Sequence, residues 1–174
     1  MDAAKPLPPI ADDQLWDLFC RAEEVGLRLE ATSDGITWEV LPGLRHQLIT
    51  AAILQSIEPS NAVVKCECSK VFDLAIRFPS GVAKRPDIAI FCCLPLEEEG
   101  FVRMVPEAVI EITSPGYEDK DLISGPPLYL ANGVKDVFVL DRRTGEVHRW
   151  NQSGHTVNLS PTTFTLLTGC RLTV

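Results

Sequence analysis

The stretch Val105-Pro106-Glu107-Ala108-Val109-Ile110-Glu111-Ile112-Thr113-Ser114-Pro115-Gly116 decides the fold. Val109, Ile110 and Ile112 form a near-continuous apolar, β-branched run, the pattern of a strand buried on both faces. Glu111 interrupts it. An ionised carboxylate at such a position costs several kcal/mol unless it is paired or bound to a metal. Ser114-Pro115-Gly116 ends the strand with turn chemistry.

Reading toward the C-terminus, a short helix of about two turns follows. Ser124 is its expected N-cap, Pro126-Pro127 suit its first turn, and Gly133 fits the position just past its end. Val137-Phe138-Val139-Leu140 is a second buried strand. Strand, crossover helix and strand predict a βαβ unit with a parallel pair. Glu146 to Trp150 is a further strand, and the Thr-rich tail from His155 to Val174 predicts one or two edge strands. Between Gly116 and the helix, Tyr117-Glu118-Asp119-Lys120-Asp121 reads as a charged loop. It starts at the sheet edge where Glu111 ends its strand, so Lys120 is a candidate catalytic group or a surface partner of Asp119 or Asp121.

Toward the N-terminus, Arg85-Pro86-Asp87 opens a strand running to Cys93. Pro-Asp by itself is a common turn pair. Together with Glu111 it sets two acids at the entrances of neighbouring strands. Two carboxylates and a backbone carbonyl, that of Ile112, form the hard oxygen set that suits Mg²⁺ or Mn²⁺. A cation so held polarises a phosphoryl oxygen and acidifies bound water. Further upstream, Val71 to Phe78 and Ala62 to Cys68 read as strands, and Pro79-Ser80-Gly81 as a tight connection. Leu44 to Ile57 predicts a helix, and Leu27 to Glu30 with Ile36 to Leu41 a hairpin about Ser33-Asp34-Gly35. Leu15, Leu18, Phe19 and Ala22 give an amphipathic helix capped by Asp12 or Asp13 and ending near Gly26. Residues 1–11, with Lys5-Pro6-Leu7-Pro8-Pro9, read as a stiff leader.

At 174 residues the chain fits one domain, 1–174, with a core of its own. No apolar run approaches the roughly 20 residues that span a bilayer, and the opening residues have no signal-peptide core. The expectation is a cytoplasmic protein with no membrane partner. In that setting the six cysteines, Cys20, Cys66, Cys68, Cys92, Cys93 and Cys170, read as reduced thiols, since their spacing is not that of a zinc finger or ribbon. A net charge of −8 excludes a broad basic coat for nucleic acid, though not a local basic strip. Lys84-Arg85 and Arg142-Arg143 are the adjacent basic pairs, and Glu97-Glu98-Glu99 reads as an exposed loop tip.

Pro86-Asp87, then Glu111-Ile112-Thr113-Ser114-Pro115, then Tyr129, Gly133-Val134 and Val139-Leu140-Asp141 resemble the Uma2 family of restriction endonucleases, within the PD-(D/E)XK superfamily. The resemblance runs from about Glu39 through His46 to Trp150 and is strongest from Arg85 to Asp141. It implies an α/β, restriction-endonuclease-like fold: a central mixed β-sheet flanked by helices. It also implies a divalent-metal phosphodiesterase acting on DNA, with Asp87 and Glu111 as ligands and His46 matching a histidine common in the family. The superfamily lysine would stand at Thr113, or in many relatives of this family on the following helix, where this chain has Gly125. Nuclease folds of this type often pair so that two sites address two strands, which suggests a homodimer. Two alternatives stay open at this point. One is a nuclease-fold module without catalysis that works through protein or weak nucleic-acid binding. The other is a hydrolase of small nucleotide phosphoesters.

Overall fold

Ile88-Ala89-Ile90-Phe91 and Ala108-Val109-Ile110-Glu111-Ile112 become adjacent strands, and every residue of both is buried. The computed structural model describes residues 10–59, 68–93, 95 and 100–174. In chain order the first elements are α1 (Asp12–Glu24), β1 (Leu27–Thr32), β2 (Gly35–Val40), α2 (Leu44–Ser56) and β3 (Glu58–Pro59). Next come β4 (Ser69–Phe72), β5 (Ile76–Arg77), β6 (Ala83–Lys84), β7 (Ile88–Phe91) and β8 (Ala108–Ile112). A π-helical turn, Lys120–Ser124, runs into α3 (Gly125–Ala131). The chain ends with β9 (Asp136–Asp141), β10 (Glu146–Asn151), β11 (Gly154–Leu159), β12 (Thr163–Thr165) and β13 (Cys170–Thr173). None of the described helices is long and apolar enough to cross a membrane.

These elements fall into two units. One takes its described residues from 1–41, 75–85 and 96–104. Its antiparallel sheet has the order β2-β1-β6-β5. Helix α1 buries Leu15, Phe19 and Ala22 in a cluster with Leu29, Ala31, Ala83 and Phe101. Trp16 and Phe19 meet the Phe101 ring edge to face at 5.1 and 4.9 Å, the geometry the ring quadrupoles favour. The expected acidic N-cap is replaced by Ala11, which gives no side-chain bond. Asp12 is instead the first helical residue and pairs with Arg77 and Arg103, which hold its carboxyl below the usual carboxylate range. Lys84 is no surface cation: it is buried and meets the buried Glu30 at 2.5 Å. Its neighbour Arg85 pairs with Glu23.

The other unit takes its described residues from 42–74, 86–95 and 105–174. Its main sheet has the order β11-β10-β9-β8-β7-β4 and is mixed. All neighbours are antiparallel except β8 and β9, which the crossover through α3 makes parallel. Ile88, Ile90, Ile110, Ile112, Phe138 and Leu140 point into one core, closed by Ile53 of α2 and by Phe164 and Leu172 of the small β12-β13-β3 sheet. The tail thus supplies three strands, one at the edge of the main sheet and two in this second sheet. The strand expected over 71–78 breaks at Asp73, whose φ of +54° cannot continue a ladder. Cys68 and Cys170 each stand in a disulfide, contrary to the expectation of free thiols. Cys170 lies in the core and Cys68 packs against it, a tertiary approach that spacing along the chain does not reveal. Residues 1–9 of the leader, most of the 62–68 segment with Cys66, and Glu97-Glu98-Glu99 lie outside the described residues.

Asp136 ties the far end of this sheet together. It is 1% exposed. Its Oδ1 accepts from Arg149 Nε and Nη2 at 2.8 and 2.6 Å and from Asn151 Nδ2 at 3.2 Å, while Oδ2 accepts the Leu167 N–H at 2.9 Å. One carboxylate thereby joins β9, β10 and the segment leading to β13. Removing it leaves the Arg149 cation uncompensated, so Asp136→Ala is expected to cost about 3–5 kcal/mol, read as a lower midpoint in urea unfolding.

Candidate metal centre

In the β7–β8 ladder Ile88 lies opposite Ile110. Carrying that antiparallel register one pair outward sets Asp87 opposite Glu111, and directly opposed residues share a face. Both acids are buried, at 7% and 6% exposure. Their bonding is reciprocal. The Asp87 N–H donates to Glu111 Oε2 at 3.1 Å, and the Ile112 N–H donates to Asp87 Oδ2 at 2.9 Å. Each carboxylate therefore accepts an N–H of the neighbouring strand just where the regular ladder stops. Such charge-assisted bonds stabilise a carboxylate that has lost its water.

Two helices complete the arrangement. Tyr129 of α3, fully buried, donates its hydroxyl to Glu111 Oε1 at 2.5 Å. Its place is set by the end of α3: the Gly133 N–H bonds the Leu130 carbonyl and the Val134 N–H that of Tyr129. This is a Schellman closure, and Gly133 supplies its left-handed residue at φ +95°, as the sequence predicts. From α2, His46 Nε2 lies 3.0 Å from Asp87 Oδ2 and 3.2 Å from the Ile112 carbonyl. A ring nitrogen between two acceptors carries the proton, so Nε2–H is the donor to both. Thr50 Oγ1 stands 3.5 Å from Nδ1.

The structure thus brings Asp87, Glu111, Ile112 and His46 into one bonded cluster. Its oxygen set, two carboxylates and one carbonyl, is of the hard type that suits a divalent cation, and the His46 N–H bonds Asp87 Oδ2 and the Ile112 oxygen from the α2 side. Among the described residues no three His, Cys, Asp or Glu side chains converge on one point as a complete cage. A cation here would depend on the carbonyl, on water and on substrate oxygens, as Mg²⁺ commonly does.

Lys120 does not lie in a loop. It opens the π-helical turn, with Nζ 3.4 Å from Oδ1 of the buried Asp121. The turn closes through a bond from the Gly125 N–H to the Lys120 carbonyl. A Cβ at Gly125 would stand 3.1 Å from that same carbonyl oxygen, so a side chain there presses on the atom that closes the turn. Ser124 is already helical and makes no capping bond, contrary to the expected N-cap. Thr113 is buried and structural: its N–H bonds the Leu140 carbonyl at 3.0 Å and its Oγ1 accepts the Arg142 N–H at 3.1 Å. Tyr129 is the contributor that sequence reasoning missed. It belongs to the family-like pattern, but its bond to Glu111 depends on how α3 packs. Tyr129→Phe removes a bond to a charged group and is expected to cost about 1.5–3 kcal/mol, measurable by chemical denaturation with the fold retained by circular dichroism.

No curated protein matches the sequence. Among solved structures, one described as "a putative nuclease belonging to DUF820 from Anabaena variabilis ATCC 29413" superposes with a TM-score of 0.65 at 20% identity, covering 88% of this chain and 86% of that one. The likeness establishes the nuclease-type α/β fold around the mixed sheet. A family model described as "Putative restriction endonuclease" matches residues 16–171, and the chain therefore belongs to the Uma2 family.

Proposed function

We propose that the chain is a divalent-metal-dependent endonuclease that hydrolyses DNA phosphodiester bonds. The observation that carries this reading is the reciprocal bonding of two buried acids, Asp87 and Glu111, across neighbouring strands beside the Ile112 carbonyl. In this reading Asp87, Glu111 and the Ile112 carbonyl hold Mg²⁺ or Mn²⁺. The cation, when bound, polarises a phosphoryl oxygen and acidifies a coordinated water. Asp87 and Glu111 supply the negative charge that holds it, and Tyr129 and two backbone N–H groups keep both carboxylates oriented. His46 positions Asp87 through Nε2. Lys120 acts as the ammonium that stabilises charge developing on the attacked phosphate.

The π-helical turn supports that role for Lys120. The bond from Gly125 to the Lys120 carbonyl sets position 125 one turn beyond position 120. A lysine at 120 thereby enters from the same stretch of helix on which many relatives carry theirs, at the place of Gly125. Single π-turns inside helices are frequent at functional sites. Cleaving both strands of a duplex takes two such sites, so the working species in this proposal is a homodimer.

Asp87→Asn keeps the shape of the side chain and removes its charge. It is expected to abolish Mg²⁺- and Mn²⁺-dependent nicking of supercoiled plasmid at low salt, with the thermal melt little changed. A wild-type protein that cleaves DNA in neither metal would overturn the proposal and favour a binding module without catalysis. Lys120→Ala is expected to lower turnover about 100-fold. Near-wild-type turnover in that variant would reduce Lys120 to a partner of Asp121, worth less than about 1 kcal/mol of stability.

A further inference from the structure

A pocket of about 390 Å³ opens between α2, the end of β9 and the chain's last strand. Its walls include Arg45, Ile49 and Ile53 from α2, Leu140 from β9, and Arg142. It borders the acidic cluster directly. Arg45 precedes His46, Leu140 is the register partner of Ile112, and the Arg142 N–H bonds Thr113.

The two arginines are unlike the rest. Of the eight other arginines, seven stand in ion pairs with Asp or Glu, and Arg28 donates to the Arg85 carbonyl. Acids outnumber Lys and Arg by 24 to 16, so carboxylates are not scarce in this chain. Yet among the described residues Arg45 and Arg142 form no ion pair, and Arg142 Nε is buried without a hydrogen-bond partner. Buried donors are rarely left so, because each lost bond is costly. Two guanidiniums without counter-charge on one pocket call for an anion, and their planar fork matches phosphate oxygens. The remaining wall is mostly apolar, with Ile49, Ile53 and Leu140 beside Ser56, Ser160 and Thr173, more apolar surface than a bare inorganic ion would use. It suits the sugar and base of a nucleotide. A base stacked inside a duplex cannot reach such a hollow, so the nucleotide has to be single-stranded or extruded.

We infer that this pocket seats one unstacked nucleotide of the substrate strand, its phosphate held by Arg45 and Arg142 and its nucleoside lying on Ile49, Ile53 and Leu140. The position of that nucleotide, next to the scissile phosphate, rests on the endonuclease reading; its binding does not. The test is fluorescence anisotropy of a labelled single-stranded oligonucleotide and of its duplex, in EDTA, over a series of salt concentrations. Wild type is expected to prefer the single strand. Arg45→Ala and Arg142→Ala should each weaken binding about tenfold and flatten the log–log salt dependence by about 0.7, the value for one phosphate contact on a single strand. Ile49→Ser should weaken binding and leave the salt slope unchanged. Arg45 is exposed on α2, so its variant keeps the test decisive if Arg142→Ala fails to fold. Wild-type affinity and slope in the arginine variants would overturn the inference. So would equal binding of duplex and single strand with Ile49→Ser neutral, or no binding by wild type. Plasmid cleavage is scored separately. A wild type that binds through these residues but does not cleave keeps the subsite and removes the endonuclease, whereas cleavage with unchanged binding in the arginine variants does the reverse.

Discussion

The pair of bonds that crosses between β7 and β8, Asp87 N–H to Glu111 and Ile112 N–H to Asp87, is the constraint on which the site depends. Together with the bonds from His46 and Tyr129, it compensates the burial of both acids. A lone carboxylate in a strand this apolar would take up a proton or pull the strand end into water. By exchanging acceptors across the ladder, each acid satisfies a backbone N–H that the sheet has ceased to pair and gains a charge-assisted bond in place of water. The pairing requires the antiparallel register Ile88 to Ile110, since a slip of one residue would turn every side chain of the strand to the other face. Packing of Ile88, Ile90, Ile110 and Ile112 into one core fixes that register. The hydrophobic pattern of the strands therefore determines where the charges meet.

Much of this was legible in the sequence because it is local or periodic. A carboxylate inside Val109-Ile110-Glu111-Ile112 is an anomaly that any reading of strand pattern detects. The hairpin about Gly35, helix α2 and the glycine after α3 follow from turn chemistry and spacing. What could not be read is what depends on tertiary approach. Asp73 looks like an ordinary strand residue until its φ is known. Cys68 and Cys170, about a hundred residues apart in the chain, meet only because β4 and β13 border the same core. Lys120 looks like a loop residue because a π-turn has no strong sequence signature of its own. Gly125 was the trace it left: the glycine reads as a missing lysine in the family pattern and, in space, stands where a Cβ would press on the carbonyl that closes the turn.

The two ends of the parallel pair β8–β9 have different tasks. At the end where both strands begin, Asp136 collects Arg149, Asn151 and the Leu167 N–H into a closed, saturated network. Both oxygens of Asp136 are taken up by neighbours, as suits a clamp. Where both strands finish, the polar groups are arranged differently. Glu111, the Ile112 carbonyl, Thr113 and Arg142 lie together, and the Arg142 guanidinium nitrogen is buried with nothing to bond. In open α/β sheets the carboxyl ends of parallel strands are where ligands gather, because the chain leaves the sheet there and its connections can reach back over the edge.

The connection after β8 illustrates why that end can hold chemistry. It must cross to β9 with a right-handed helix, and in doing so it carries Tyr129 back onto the strand it has just left, where the hydroxyl meets Glu111. Lys120 belongs to the same connection. The connection begins with an α-type bond, from the Asp121 N–H to the Tyr117 carbonyl, and the π-turn that starts at Lys120 then takes up one extra residue before α3 settles into its regular bonds. A glycine at 125 eases that turn, since a Cβ there would stand 3.1 Å from the Lys120 carbonyl oxygen, which would then have to shift by a few tenths of an ångström. The glycine thus relieves the close approach at the end of the π-turn, and Lys120 stands at the head of that turn by its place in the connection rather than by any preference of the lysine itself.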